Sequence, residues 1–413
     1  MQAEIFTGSH AGVIVGVYIA LNLLALFLLD HWLCNSSLKY RDSVARRVIV
    51  CFLFITVAFL PVLALLIRDG LYKYYIDRYS YVWMGFLMYF GALILVFTII
   101  EGFVRLVRGI GKKDRTEKSG AAGRVMSGVL IVLMIAAAVG INVYGMKHAR
   151  ETVVTRYNVT VNKTVKHTEA LRAAFISDLH LSYNSDPAVI RQMVDKLNNE
   201  KPDVVFVGGD MFTSSYSSVR HPEEYIEILK DIKSKYGVYW VYGNHDVEEP
   251  LFCGFPMKDP EDAVRTKKMK KFLKKSGFKI LEDRCTAICK GEVQLVGRAD
   301  KFLPTDKAEK RKAPDELMAD LDKEKPVIVI AHEADDLKEL AEDGADILFS
   351  GHTHAGQIFP GNIIVGFFND IPYGQEKIND MNVILSSGVG CYGPPIRVLT
   401  DSEIVIADIT FKK

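Results

Sequence analysis

The stretch Phe175-Ile-Ser-Asp178-Leu-His180 decides how the rest of the chain is read. The apolar run from Ala173 to Ile176 has the character of a buried strand. A strand ending there presents Asp178 and His180, two residues apart, on one side. A carboxylate oxygen beside an imidazole nitrogen makes half of a site for a divalent transition metal. Asp-x-His by itself is common and carries no weight. It gains weight from four further apolar runs, each of which leads into a polar cluster. Val204 to Val207 leads into Gly208-Gly209-Asp210, and Val238 to Tyr242 into Gly243-Asn244-His245-Asp246. Pro326 to Ala331 leads into His332, and Ile347 to Phe349 into Gly351-His352-Thr353-His354. Open α/β sheets gather their ligands at the carboxyl ends of strands. Glycines there let the backbone turn tightly enough for side chains to converge.

The ordered set Asp-x-His, Gly-Asp, Gly-Asn-His-Asp, His and Gly-His-x-His resembles the calcineurin-like metallophosphoesterases, from about Leu171 to the end of the chain. Gly356-Gln357, Gly388-Val389-Gly390 and Pro395-Ile396-Arg397 resemble the membrane-associated bacterial branch. Two positions depart from the pattern. Ser182 stands where Gly is frequent, and Ala334 follows His332-Glu333 where Pro is frequent. Neither is an expected ligand, so both bear on the shape of the pocket.

The resemblance implies an α/β fold, a four-layer metallophosphoesterase sandwich of two sheets flanked by helices. It implies two divalent metal ions. Asp178, His180 and His354 would hold one, Asn244, His332 and His352 the other, and Asp210 would bridge them. Such ions lower the pKa of a bound water, hold phosphoryl oxygens and stabilise charge developing in an in-line displacement. His245 is left outside coordination, where it would protonate the leaving oxygen or steady the phosphoryl group, with Asp246 fixing its orientation. Mixed nitrogen and oxygen donors suit manganese first, then zinc or iron, rather than calcium. Thr213 occupies the position, three residues after Asp210, where the purple acid phosphatases of this superfamily place a tyrosinate. A purple ferric site is therefore disfavoured.

The first third of the chain has a different character. Segments at about 11–29, 48–67, 79–100 and 125–144 are long and apolar enough to cross a bilayer. The first lacks the basic start and small-residue cleavage site of a signal peptide. A four-helix transmembrane domain is thus expected over residues 1–146, with Pro61 kinking the second span and Asn22 and Asn142 facing other helices. Basic residues concentrate in two connections, at Lys39, Arg41, Arg46 and Arg47 and at Arg105, Arg108, Lys112, Lys113, Arg115, Lys118 and Arg124. The remaining connection has Arg68, Lys73 and Arg78. Positive-inside bias places the two basic loops in the cytoplasm and both termini outside, which makes a multi-pass cell-membrane protein with an extracytoplasmic catalytic domain. Tyr72, Tyr74, Tyr75, Tyr79, Tyr81 and Trp83 read as an interfacial aromatic belt.

Residues 147–170 read as a linker becoming an edge strand, and 171–413 as the metallophosphoesterase domain. Asp186-Pro187 and Asp259-Pro260 have the form of helix starts. Arg265 to Lys275 holds seven basic side chains around Val264, Met269, Phe272 and Leu273. This stretch reads as a core-packed helix with a solvated basic side, or as a contact for anionic headgroups. Cys285 and Cys289 leave a disulfide open, while most such pairs form none. A net charge of +1 with 49% hydrophobic residues gives no nucleic-acid footprint.

The function expected is a membrane-anchored, dinuclear-metal phosphoesterase acting on a phosphoester or pyrophosphate. The short connection from the last span to the first ligand, about two dozen residues, favours a lipid-borne or envelope substrate. The alternative is a metal-binding receptor or assembly module without turnover. His245 and Asp246 favour the enzyme, since a binding module has no use for a leaving-group acid. A transporter is disfavoured, because the apolar segments lack charged residues of the kind that mark a substrate path.

Overall fold

The computed structural model describes residues 11–67, 71–109, 120–252, 254–257, 263–301 and 311–412. Arg68, Lys112, Lys113, Arg115, Lys118, Cys253 and the Asp259-Pro260 helix start lie outside the described residues. The chain forms two compact units. One comprises Met1–Gly145 with Phe252–Met257 and Gly393–Pro395, and the other comprises the remainder.

In the first unit the apolar segments are helices: α1 (Ala11–Ser36), the short α2 (Leu38–Arg41), α3 (Val44–Ala58), α4 (Leu60–Leu66), α5 (Leu71–Gly109) and α6 (Ala121–His148). α1, α5 and α6 are each long and apolar enough to cross a membrane. The second expected span is broken. α3 and α4 meet at 44°, with Pro61 in the first turn of α4, and they make a fourth crossing only if the bent pair counts as one. Val13, Val17, Leu21 and Phe27 of α1 are exposed, as are Val129, Val132 and Leu133 of α6. Helices whose outer surface is this apolar are built for a lipid solvent. Asn22 accepts from Trp83 Nε1 of α5 at 3.3 Å, whereas Asn142 is buried and donates to Ala138 O of its own helix at 2.8 Å.

The second unit opens with the last turn of α6. Only residues 149–151 separate His148 from β1 (Thr152–Val161), so the expected linker is short and the edge strand long. In chain order the other strands are β2 (Ala170–Ile176), β3 (Val204–Val207), β4 (Val238–Trp240), the ribbon strands β5 (Leu251–Phe252) and β6 (Phe255–Pro256), which from Phe252 on count with the first unit, β7 (Lys279–Ile280), β8 (Arg284–Ile288), β9 (Val293–Gly297), β10 (Val327–Ile330), β11 (Ile347–Ser350), β12 (Gly374–Ile378), β13 (Met381–Leu385) and β14 (Ser402–Phe411). One six-stranded sheet has the order β1-β14-β2-β3-β4-β7, and the other β12-β13-β11-β10-β9-β8. β2, β3 and β4 are parallel to one another, as are β9, β10, β11 and β13. The helices are α7 (Pro187–Asn199), α8 (Pro222–Lys230), α9 (Lys267–Lys275), α10 (Pro314–Met318), α11 (Leu337–Glu342) and α12 (Gly361–Ile364).

Strand periodicity builds the layers. Leu171, Ala173, Phe175, Val204 and Phe206 face the second sheet, where they meet Ile328, Ile330, Ile347 and Phe349. Phe349 packs 5.6 Å from Phe175 and 5.5 Å from Phe206, ring centre to ring centre. The alternate residues Ala174, Ile176, Val205 and Val207 face Ile190 and Met193 of α7, Tyr225 of α8 and Phe272 of α9. Val327, Val329 and Leu348 face Leu317 of α10 and Leu340 of α11. Strands covered on both faces need continuous apolar runs. That requirement accounts for the run before each polar cluster.

α9 buries Met269, Phe272 and Leu273 and leaves its lysines outward. Val264 and Arg265 precede the helix. Val264 is exposed, and the buried Arg265 pairs with Glu282 and lies 3.9 Å over the Tyr242 ring. Cys285 and Cys289 are free thiols, with no disulfide between them.

Candidate metal centre

The strand ends fix the donors. Asp178 and His180 follow β2, Asp210 follows β3, and Asn244 and His245 follow β4. His332 follows β10, and His352 and His354 follow β11. Backbone bonds lace these loops together. Asp178 N donates to Gly209 O and His180 N to Asp210 O, both at 3.0 Å, and Gly351 N donates to His332 O at 3.0 Å. Asp178, His180, Asp210, His352 and His354 all take positive φ, between 47° and 71°. Non-glycine residues held there cost roughly 1–3 kcal/mol each, and such strain collects at functional sites. Gly243 and Gly351 are required by close approach, since a Cβ on either would lie within 2.3 Å of a carboxylate oxygen of Asp210 or Asp178.

Asp178, His180 and His354 present donor atoms within 4.8 Å of one another, and so do Asp178, Asp210 and His332. His180 Nε2 lies 3.0 Å from His354 Nε2, which is 3.6 Å from Asp178 Oδ1. Asn244 Oδ1 is 2.9 Å from His332 Nε2 and 3.1 Å from His352 Nδ1. One oxygen, Asp210 Oδ2, lies 3.6 Å from His180 Nε2 and 3.2 Å from His332 Nε2. Two donors about 2.1 Å from a shared ion, at roughly 90–110° to each other, stand about 3.0–3.4 Å apart. The spacing therefore fits two ions with Asp210 between them.

The ionisation of the site suits cations. Burial pushes the His180 imidazole well down and that of His354 down to about 4, and it lowers His245 and His352 as well. Neutral imidazole is the form that binds metal. Burial opposes ionisation of Asp210, but His332 beside it outweighs that cost and holds its carboxyl well below the usual range. Burial likewise works against charge on His332, but Asp210 lifts it well above the ordinary histidine value, so this imidazole holds a proton that a cation at Nε2 would have to replace. His332 Nδ1 donates to Gly208 O at 2.8 Å, which leaves Nε2 facing the donors.

The structure corrects the role expected of Asp246. Its carboxylate accepts the backbone N–H groups of Asp210, Met211 and Gly243 at 2.9 Å and of Phe212 at 3.3 Å, so it braces the loop that carries Asp210. The His245 ring is oriented by Ser214 instead. Ser214 Oγ is 2.9 Å from His245 Nδ1 and donates to Glu249 Oε1 at 2.8 Å, which leaves the Nδ1 proton to His245. Tyr392 stacks on the same ring, 4.4 Å between centres and 27° between planes. Ser214, Glu249 and Tyr392 were not singled out in the sequence, since no motif spacing marks them. Ser214 N bonds to His245 O and Glu249 N to Ser214 O, contacts that only the paired loops create. Arg397, in the Pro-Ile-Arg segment, is fully buried and donates to the carbonyls of Ser387, Gly388 and Gly390.

Known proteins resemble this chain. The family model for calcineurin-like phosphoesterases matches residues 171–356. An uncharacterized metallophosphoesterase of Helicobacter pylori strain J99 is 30% identical over 243 residues, 57% of this chain and 58% of that protein. The chain therefore spans less than two thirds of that relative's length. A transmembrane protein with metallophosphoesterase domain from Danio rerio is 26% identical over 320 residues, 76% of this chain and 70% of that protein. A UDP-2,3-diacylglucosamine pyrophosphatase of Chlamydia trachomatis is 24% identical over 238 residues, 50% of this chain and 70% of that protein. Residues 171–356, which include β2, β3, β4, β10 and β11, thus form a calcineurin-like phosphoesterase domain, and it lies behind apolar N-terminal helices.

Proposed function

We propose that this protein is a membrane-anchored phosphohydrolase that works with two divalent cations, manganese before zinc or iron, on a phosphoester or pyrophosphate borne by a lipid or another envelope molecule. The observation that carries the reading is Asp210 Oδ2, a single carboxylate oxygen set between His180 and His332. The ions, when bound, supply an activated water and a Lewis-acid hold on the phosphoryl oxygens. The chain does the rest. Asp178 and Asp210 provide the negative charge that lets two cations sit close together, and Asn244 adds a neutral oxygen donor. The imidazoles complete the donor set without making it too anionic for a phosphate. The acid form of His245 is its imidazolium, a minority species because burial lowers the pKa; it gives the Nε2 proton to the leaving oxygen, while Ser214 and Glu249 hold the Nδ1 proton and keep the ring in place. A receptor without turnover has no use for that supported imidazole.

The relative named as a UDP-2,3-diacylglucosamine pyrophosphatase supports a substrate with acyl chains, and the membrane helices support one that stays at a bilayer. The test is a turnover screen of the full chain with manganese, zinc and iron, against monoesters, diesters and pyrophosphates in soluble and lipid-linked form. Chelator-sensitive hydrolysis with a preference for lipid-linked compounds is expected. A protein that binds two ions and turns over none of them is a binding module. The two basic loops support an orientation with the site outside the cytoplasm, in which a reporter fused after Lys413 behaves as exported. Activity of a reporter that works only in the cytoplasm overturns that orientation.

A further inference from the structure

Residues 361–368 read Gly-Asn-Ile-Ile-Val-Gly-Phe-Phe and carry no charge. They form α12 and a 3₁₀ turn whose large side chains turn outward. Ile363 is 56% exposed, Ile364 47%, Phe367 80% and Phe368 81%. Single exposed apolar residues are ordinary, but four large ones on eight successive positions make a patch that calls for a partner. The segment is firmly held. Phe359 N donates to Val398 O at 3.2 Å, Ile364 N to Pro360 O at 3.1 Å and Asn369 N to Val365 O at 3.1 Å. Its root, the bridge between Ile358 and Val398, adjoins another exposed apolar side chain, Leu399, at 67%.

We propose that this ridge, Ile363, Ile364, Phe367 and Phe368 with Leu399, dips into the bilayer and that the interfacial acyl region is its occupant. The position of the membrane relative to this unit is given by a contact inside the unit. His148 ends α6, a helix long and apolar enough to span, and its Nε2 lies 2.8 Å from Asp401 Oδ1. Asp401 stands three residues from Val398, the partner of the ridge's root, a reach of at most about 11 Å. The ridge is thus rooted close to the point where the chain leaves the membrane. Apolar side chains at such a level bury themselves roughly 5–10 Å into the headgroup and acyl boundary. A bilayer is also the one apolar surface that the chain always has beside it. The inference stands apart from the hydrolytic reading, because the ridge contacts lipid whatever the metal centre does.

The test uses the full chain in phosphatidylcholine–phosphatidylglycerol vesicles, with Trp32→Phe and Trp83→Phe to remove the membrane tryptophans. Phe368→Trp and, separately, Ile363→Trp then report on the ridge, while Trp240 in the core serves as an internal reference. Blue-shifted emission and roughly two-fold quenching by brominated acyl chains are expected at both positions, as for other interfacial side chains. Emission of a water-exposed indole, unchanged by brominated lipid, overturns the proposal. So does a blue shift without lipid quenching in a protein that sediments as a dimer, which would give the ridge to a second copy.

Discussion

The two halves of the metal centre are closed to different degrees. Around Asp178, His180 and His354 nothing is open. The side chains of Asp178 and His180 have no exposure, that of His354 has 8%, and the two imidazole rings stack at 5.0 Å. Around Asn244, His332 and His352 only His332 is sealed. The His352 side chain keeps 35% of its exposure and Asn244 is half-buried. An ion in the first half would be surrounded by protein. An ion in the second would keep a side toward solvent, as catalytic sites do. On the proposed reading the difference would divide the labour, with the closed half anchoring its ion and the open half receiving phosphate.

The largest effect comes from breaking what the halves share. Asp210→Asn removes the charge of the oxygen between them, so both ions should be depleted and hydrolysis abolished. Metal analysis beside kinetics reads both, and full occupancy in this variant removes the bridging role. Next come substitutions confined to one half. His354→Ala should lose one ion that excess metal does not restore, because the ligand is buried and its place is shut off from solvent. His352→Ala should lose activity that excess metal largely recovers, since water can reach its position. Equal behaviour of the two variants would erase the distinction. A third step spares both halves. His245→Ala should keep both ions and lose roughly 10² to 10⁴ in turnover, the usual worth of a positioned acid.

Much of this was legible in the sequence for one physical reason. Strands covered on both faces must be apolar throughout, so the first polar residues after Ile176, Val207, Trp240, Ile330 and Phe349 stand out as the ends of β2, β3, β4, β10 and β11. The layer order follows from the same alternation. The kink of the second membrane segment was legible in Pro61, but hydropathy does not tell whether the 44° break leaves α3 and α4 as one crossing. The roles around His245 were not legible at all. Asp246 is adjacent to it in sequence, but neighbours in a tight loop point apart, and the carboxylate turns back to the amides of the Asp210 loop. Ser214 reaches the ring from another loop, 31 positions away.

The smallest expected effect separates the support of His245 from the brace of the Asp210 loop. Ser214→Ala and Glu249→Gln each weaken the bond that holds His245 Nδ1, yet neither touches a ligand. A net hydrogen bond is worth roughly 0.5–1.5 kcal/mol, so turnover should fall by about 2- to 13-fold with metal content and thermal stability near those of the parent. Asp246→Ala acts differently. It strips the acceptor from buried amides of Asp210, Met211, Phe212 and Gly243, at about 1–3 kcal/mol for each one left unsatisfied. Melting temperature and bound metal should therefore drop together, and activity only as a consequence. The double variant His245→Ala with Ser214→Ala completes the argument. If Ser214 works solely through the ring, removing it from a protein already lacking His245 changes nothing further. An additional loss in the double variant, or metal loss in Ser214→Ala alone, would show that Ser214 supports the centre rather than the acid.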